Sequence, residues 1–250
     1  MRTQELFDLE GRVAIVTGGT RGIGLAIAQG FVDAGAKVAV ASRKADACQE
    51  VAASLGEAAI GVPTHLGDLG ALHGLVSATV ERFGRLDIVI NNAATAVSQP
   101  VGEFTPDAWE KVYDVNLRGP VFLVQEALPY LEQSPCASVV NVISAGAFLF
   151  SLPTAMYSGA KAALMSLTRS MAAGYAPKGI RVNALAPGSV DTDMVRNTGP
   201  EAMGRMANAS IMKRIADPWE MVGPAVFLAS DASSFMTGQV LLVDGGLVPH

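Results

Sequence analysis

Charged residues are scarce in this chain. Only 16% of its 250 residues are Asp, Glu, Lys or Arg, while 50% are hydrophobic and the mean hydropathy is +0.34. A chain this apolar and this poor in charge does not stay disordered. A basic excess is also missing: the formal net charge is −5 and the pI about 5.2. That excludes the broad cationic footprint of a nucleic-acid-binding protein. Cysteine is limited to Cys48 and Cys136, and there are only three histidines. Two isolated thiols make neither a disulfide scaffold nor a zinc site, and they suit a reducing compartment. No uninterrupted apolar run approaches the roughly 18 residues of a membrane span. The first residues, Met-Arg-Thr-Gln-Glu-Leu-Phe-Asp, lack the basic start and apolar core of a signal peptide. The expectation is a soluble cytoplasmic protein with a large core, without nucleic-acid or membrane partners.

Glycine is in excess, with 26 residues against a usual share of about 7%. The glycines show no collagen-like period and cluster where apolar runs end, where a backbone turns sharply or approaches a ligand closely. Short β-branched runs are expected to form strands at residues 12–17, 37–42, 59–64, 86–91, 138–143, 180–185 and 239–243. Helical patterns fall between them at 22–34, 44–55, 69–83, 106–117, 119–133, 156–175 and 219–230. Met194 to Met212 reads as a less regular stretch. Strands that alternate with helices make βαβ units and a mostly parallel sheet. The near-continuous apolar strands fit a sheet covered on both faces. No repeat, low-complexity tract or Pro/Ser-rich linker divides the chain, so residues 1–250 are expected to form one domain.

Thr17-Gly18-Gly19-Thr20-Arg21-Gly22-Ile23-Gly24 joins the first strand to the first helix. Glycines there let the backbone approach a pyrophosphate, and the helix start supplies free N–H groups and its positive dipole end. Without a ligand the same loop is simply a tight turn. Gly30 lies too far along the helix to join it and reads as a helix-packing residue. At the end of the second strand, an acid would bind the ribose 2′-hydroxyl of NAD, and an arginine would favour the 2′-phosphate of NADP. Ser42 and Arg43 stand there, with Arg21 in the loop, and Asp46 lies inside the next helix. Two guanidinium groups suit a dianionic phosphate.

Tyr157 and Lys161 are four residues apart and share a helix face. A phenol is a poor base at neutral pH, and a nearby ammonium is expected to pull its pKa down. So tuned, it can exchange a proton with an alcohol or carbonyl oxygen. Ser144 ends the fifth strand, Asn91-Asn92-Ala93-Ala94 ends the fourth, and Asn116 lies near a helix end. Strand ends of an open parallel sheet face the ligand crevice. Each asparagine taken alone is equally a cap or turn residue.

Together these residues resemble the short-chain dehydrogenase/reductases of about 250 residues, along essentially the whole chain. Thr17–Gly24 matches the family's Thr-Gly-x-x-x-Gly-x-Gly, and Asn91–Ala94 its Asn-Asn-Ala-Gly, with Ala94 in place of glycine. Asn116, Ser144, Tyr157 and Lys161 match its catalytic tetrad. Pro187-Gly188, with Val190 and Thr192, matches the loop that holds the nicotinamide carboxamide. Asp244-Gly245-Gly246 matches the usual ending. The resemblance implies a Rossmann-type doubly wound sheet of about seven parallel strands with helices on both faces. It implies a cofactor, NADP(H) in preference to NAD(H), held by Gly18, Thr20, Arg21, Gly22, Ile23, Gly24, Ser42, Arg43, Asn92, Ala93, Tyr157, Lys161, Pro187, Gly188, Val190 and Thr192. No metal is implied. Hydride would pass between nicotinamide and a carbonyl or secondary-alcohol carbon. Tyr157 would act as general acid or base and Ser144 would orient the substrate oxygen. Lys161 would lower the Tyr157 pKa and bond the ribose, and Asn116 would support a water-linked proton path. Ala94 is expected to crowd its turn slightly, and the adenine contact near His65–Asp68 is left open.

A 3-oxoacyl-thioester reductase is an alternative within the family. The segment 119–134 disfavours an acidic carrier protein, because it holds Glu126 and Glu132 and no Lys or Arg; only Arg118 precedes it. A sugar-nucleotide epimerase would carry a Gly-x-x-Gly-x-x-Gly loop, and the family's enoyl reductases place six residues between Tyr and Lys instead of three. A non-catalytic nucleotide sensor is the alternative of a different class. Met194, Met203, Met206 and Met212 could form an adaptable wall over the substrate, in a covering segment of about residues 193–215, or pack as ordinary core. Helices at 119–133 and 156–175 carry few charges for surface helices, which points to a homo-oligomer, expected to be a tetramer.

Overall fold

In a computed structural model describing residues 2–248, seven strands form one parallel sheet. They are β1 (Val13–Thr17), β2 (Lys37–Ser42), β3 (Ala59–Pro63), β4 (Ile88–Asn91), β5 (Ser138–Val142), β6 (Arg181–Pro187) and β7 (Val240–Val243), in the order β3-β2-β1-β4-β5-β6-β7. Each pairing is parallel, and Ala14, Ile15 and Val16 align with Ile88, Val89 and Ile90 across the centre. β1, β4 and β5 are buried along their whole length. Their side chains alternate between two cores, as the two-residue period of a strand requires. Ala14, Val16, Ile88, Ile90, Val140 and Val142 enter one; Ile15, Val89 and Val139 enter the other.

The first core is covered by α1 (Gly22–Asp33), α2 (Ala45–Leu55) and α9 (Val222–Ala229), and the second by α3 (Leu69–Phe83), α5 (Gly119–Leu131) and α6 (Ala155–Tyr175). Local chemistry sets several boundaries. The Asp68 carboxylate accepts from the N–H groups of Gly70 and Ala71 to start α3, and Gly84 (φ 80°) ends it. Thr105 caps α4 (Pro106–Tyr113), with Pro106 in its first turn.

Three sequence expectations change. The helices expected at 106–117 and 119–133 are one continuous run: α4 passes through a π-helical turn, Asp114–Arg118, into α5. The stretch from Met194 to Met212 is mostly helical, with α7 (Asp193–Arg196) and α8 (Pro200–Ala209). The helix expected at 219–230 begins with a 3₁₀ turn, Pro218–Met221, before α9. None of the described helices is long and apolar enough to cross a membrane.

Gly30 packs α1 against α9, as expected. A Cβ there would lie 2.2 Å from Val222 Cγ1. Val222 is β-branched and has one favoured rotamer in a helix, so it cannot swing away freely. Alanine gains roughly 0.5–1 kcal/mol over glycine in a helix, but overpacking costs about 1–3 kcal/mol. Gly30→Ala is therefore expected to lower the urea midpoint without changing the m value. Adding Val222→Ala should restore most of the loss. A Gly30→Ala chain as stable as the parent would reject this packing.

Candidate active site

The strand order reverses at β1, between β2 and β4. In an open α/β sheet the ligand crevice opens there, at the C-terminal strand ends. Thr17, at the end of β1, ties the two halves together. Its hydroxyl donates to the Ile90 carbonyl at 3.2 Å and accepts the N–H groups of Asn92 (3.0 Å) and Ala93 (3.1 Å). The Asn92 amide donates back to the carbonyls of Thr17 (2.9 Å) and Gly18 (3.3 Å). Asn92 thus positions the glycine loop by its side chain. A Cβ on Gly24 would lie 2.2 Å from the Gly18 carbonyl oxygen, and one on Gly18 2.9 Å from the Ala93 Cα. Gly18 also has φ 65°, which side-chain-bearing residues rarely adopt. Ala94 keeps a negative φ, so the crowding expected from the missing glycine does not strain its backbone.

No side chain caps the start of α1, so its first N–H groups are free for an anion. Thr20, Gly22 and Ile23 are half-buried around them. Ser42 ends β2 half-buried and Arg43 follows it exposed. On the opposite side, Pro187 ends β6 and aligns with Val243 of β7. Gly188 is pressed so closely on Asp244 that a Cβ would lie 2.7 Å from its Cα. Val190 is buried and bridges to Ala216. Thr192 donates to the Val190 carbonyl, and its Cγ2 lies 3.0 Å from the Cβ position of Gly22. The glycine loop, the ends of β2 and β4, and the 187–192 loop therefore frame a glycine-lined crevice with a free helix start. These residues fit a dinucleotide.

Two expectations need revision here. Arg21 was read as free to meet a phosphate, but its guanidinium is bonded to Asp193 at 2.9 Å, with both side chains exposed. An exposed pair of this kind is weak, so an incoming phosphate can compete for it. Asp68 serves as the α3 cap, and His65 is an exposed loop residue whose Nδ1 accepts from the Gly67 N–H at 3.1 Å.

Ser144 follows β5, and its hydroxyl accepts from the Gly146 N–H at 3.0 Å, starting a short 3₁₀ turn. Tyr157 and Lys161 lie on α6, with Lys161 Nζ 5.8 Å from the Tyr157 ring centre. Lys161 is 1% exposed, and its ammonium donates to the Val142 carbonyl at 2.7 Å. Asn116 is buried in the π-helical turn instead of ending a helix. Its amide exchanges two hydrogen bonds with the Thr95 backbone, at 3.0 and 2.7 Å. A wide turn of this type displaces the helix ladder and is common at functional sites. Spacing alone did not reveal Thr17, Thr95 or Asp193, since each acts through a partner distant in sequence.

The electrostatics differ from the simple ion–phenol picture. Burial pushes the Tyr157 phenol above its ordinary value, while the Ser144 side chain acts in the opposite sense. Burial pulls Lys161 from 10.5 down to about 7. With a pKa of about 7 the buried Lys161 amine carries only part of a charge at neutral pH, and the net direction at Tyr157 is upward. Desolvation of the ammonium outweighs its attraction for the phenol.

The four methionines of the covering segment sit in different surroundings. Met203 and Met206 are half-buried on α8 and Met194 is exposed on α7. Met212 bonds through its N–H to the Gly245 carbonyl and lines a separate cavity of about 100 Å³ with Arg214, Glu220 and Val243.

A glycine-lined crevice at the reversal point of a doubly wound parallel sheet defines a Rossmann-type fold. A family model described as "Enoyl-(Acyl carrier protein) reductase" matches residues 18–248. A probable galactose dehydrogenase of Rhizobium meliloti is 36% identical over 247 residues, covering 96% of each chain. A rhamnolipid-biosynthesis 3-oxoacyl-(acyl-carrier-protein) reductase of Pseudomonas aeruginosa is 37% identical over 251 residues, covering 96% of this chain and 97% of the relative. A crystal structure of a short-chain type dehydrogenase/reductase from Mycobacterium marinum has a TM-score of 0.94 at 29% identity, covering 98% of this chain and 99% of that one. The chain belongs to the short-chain dehydrogenase/reductase family of nicotinamide-dependent oxidoreductases.

The Lys161 assignment carries a pH signature. Its folded pKa lies below its unfolded one, so the unfolded chain binds the extra proton between about 7 and 10.5. Stability therefore rises with pH across that window, and the full penalty applies below it. Lys161→Met removes the titration. Between pH 6 and 10 the parent is expected to gain about 4 kcal/mol relative to this variant, read from urea unfolding. A pH-independent difference would reject a neutral buried lysine.

Proposed function

We propose that the chain is an NADP(H)-dependent dehydrogenase/reductase acting on a carbonyl or secondary alcohol. In this reading residues 1–250 work as one dinucleotide-binding catalytic domain. The observation that carries it is the meeting of Ser144, Tyr157 and Lys161 at the C-terminal end of β5, in a sheet whose first helix starts without a side-chain cap. The bound nicotinamide supplies or accepts the hydride. Tyr157 exchanges the proton on the substrate oxygen, and Ser144 orients that oxygen by a hydrogen bond. Lys161 bonds the nicotinamide ribose and takes part in proton transfer, for which a pKa near 7 is well matched. Asn116, held by the Thr95 backbone, supports a water-linked proton path to Lys161. Pro187, Gly188, Val190 and Thr192 hold the carboxamide side. No metal takes part.

NADP(H) preference rests on Ser42 and Arg43 at the end of β2, with no acid there, and on Arg21 once it exchanges Asp193 for phosphate. A 3-oxoacyl-thioester reductase is the second reading, favoured by the Pseudomonas aeruginosa relative. The segment 119–134 tells against a carrier-bound substrate, because it holds Glu126 and Glu132 and no Lys or Arg. The three-residue spacing of Tyr157 and Lys161 separates the chain from the enoyl reduction in the family model's description. The complete Asn116, Ser144, Tyr157 and Lys161 set argues against a non-catalytic sensor. Phe122 on α5 and Leu167 on α6 are exposed, at 36% and 37%. They support an oligomer built through these helices, which we read as a homotetramer; the two free thiols suit a cytoplasmic location.

Steady-state rates with NADPH and NADH on a carbonyl panel test the proposal. Turnover is expected with NADPH, and a loss of about 10²–10⁴-fold in Tyr157→Phe. Arg43→Ala is expected to raise KM for NADPH about tenfold and leave KM for NADH unchanged, the scale of one charge-assisted hydrogen bond. Preference for NADH would reject the cofactor reading, and an active Tyr157→Phe the proton-transfer role. A monomer in sedimentation at working concentration would reject the oligomer.

A further inference from the structure

Two loops frame Ser144 and Tyr157. One, residues 93–102, follows β4; the other, residues 145–154, joins Ser144 to α6. They meet through a hydrogen bond from the Gln99 N–H to the Pro153 carbonyl at 3.2 Å. Neither loop contains Asp, Glu, Lys, Arg or His. Both nevertheless expose large apolar side chains: Val101 is 67% exposed, Phe150 91% and Leu152 69%. Exposed apolar clusters of this kind commonly mark binding surfaces.

Three polar side chains of these loops, Gln99, Ser151 and Thr154, are already occupied. The Gln99 amide exchanges two hydrogen bonds with Thr105, at 3.3 and 3.1 Å. The hydroxyls of Ser151 and Thr154 bond each other at 2.7 Å. The covering segment does carry cations, but each is engaged. Arg196 is paired with Asp191, Arg205 with Glu201 and Arg214 with Glu220. Lys213 donates to the Asn208 carbonyl at 2.6 Å. The two loops around Ser144 and Tyr157 offer no cation to a substrate carboxylate or phosphate, and their apolar surface would leave the hydroxyls of a polyol unpaired.

We infer that the site takes an uncharged, predominantly apolar ketone or secondary alcohol and discriminates against sugars, sugar acids and phosphate-bearing thioesters. The inference rests on the oxidoreductase reading above and narrows its substrate. Phe150 and Leu152 are assigned as specificity residues: they bury the apolar body of the substrate while Ser144 and Tyr157 hold its oxygen.

The test is a matched pair with NADPH, ethyl 4-oxocyclohexanecarboxylate against 4-oxocyclohexanecarboxylate, with D-galactose oxidation by NADP⁺ in parallel. The ester is expected to exceed the acid at least a hundredfold in kcat/KM, and galactose to fall below the acid. Phe150→Ser and Leu152→Ser are each expected to lower kcat/KM for the ester about tenfold or more through KM, the scale of burying one large apolar side chain. Their melting temperatures should be unchanged, since both positions are exposed. An acid or sugar that matches the ester, with turnover lost in Tyr157→Phe, overturns the inference and leaves the reaction reading intact. Serine variants that dissociate an oligomer in sedimentation but keep the KM for the ester would assign the patch to a subunit contact and also overturn it. If nothing is turned over, calorimetric titration of the ester decides. Binding weakened by Phe150→Ser supports the apolar site while the reaction reading fails, and no binding overturns both.

Discussion

At the centre of the sheet the backbone leaving β1 runs so close to the end of β4 that no side chain fits between them. Gly18 and Gly24 supply the missing volume, and Thr17 and Asn92 close the gap with reciprocal hydrogen bonds. Everything functional is hung from this seam. It fixes where α1 begins, and with it the direction of the free N–H groups. It also fixes where the chain leaves β4, and so where Thr95 can grip Asn116 across the crevice. One polar clamp between two strand ends thereby couples the nucleotide side of the site to the proton-transfer side.

Much of this was legible in the residues because it follows from short-range rules. The strands announced themselves as β-branched runs, and the glycine loop as a strand–helix junction. Gly30 was readable as a packing contact from its place beyond the loop. Other features depend on partners far away in sequence. The pairing of Arg21 with Asp193 spans 172 positions, and no local pattern signals it. The π-helical turn at Asp114–Arg118 has no composition of its own, since it arises where Asn116 is drawn to the Thr95 backbone. Asp68 caps α3, a role that its place just before the helical pattern at 69–83 could have signalled.

At the Tyr157–Lys161 pair, spacing and energetics answer different questions. Helical periodicity brings the side chains together, as expected. It says nothing of solvent, and solvent decides the charge. Attraction between an ammonium and a phenolate grows as the dielectric falls, but the cost of holding the ammonium there grows faster unless a counter-charge is present. The only protein partner given to Lys161 is a neutral carbonyl, that of Val142. The lysine therefore titrates close to neutrality, where small changes around it alter its charge most. A site tuned in this way is responsive to whatever lies beside it.

The central pairing of β1 with β4 also bears on how the molecule comes into being. Ala14 lies opposite Ile88, 74 positions later in the chain. During synthesis at about 5–20 residues per second, β1 waits roughly 4–15 s for its inner neighbour. Until then only its outer edge, against β2, can be satisfied, and its inner edge is an open strand rich in valine and isoleucine. The first half of the nascent protein is thus a half-sheet with a sticky border, the kind of species that chaperones shield. The clamp that builds the site forms only when that border closes, so a competent crevice marks a completed centre of the sheet.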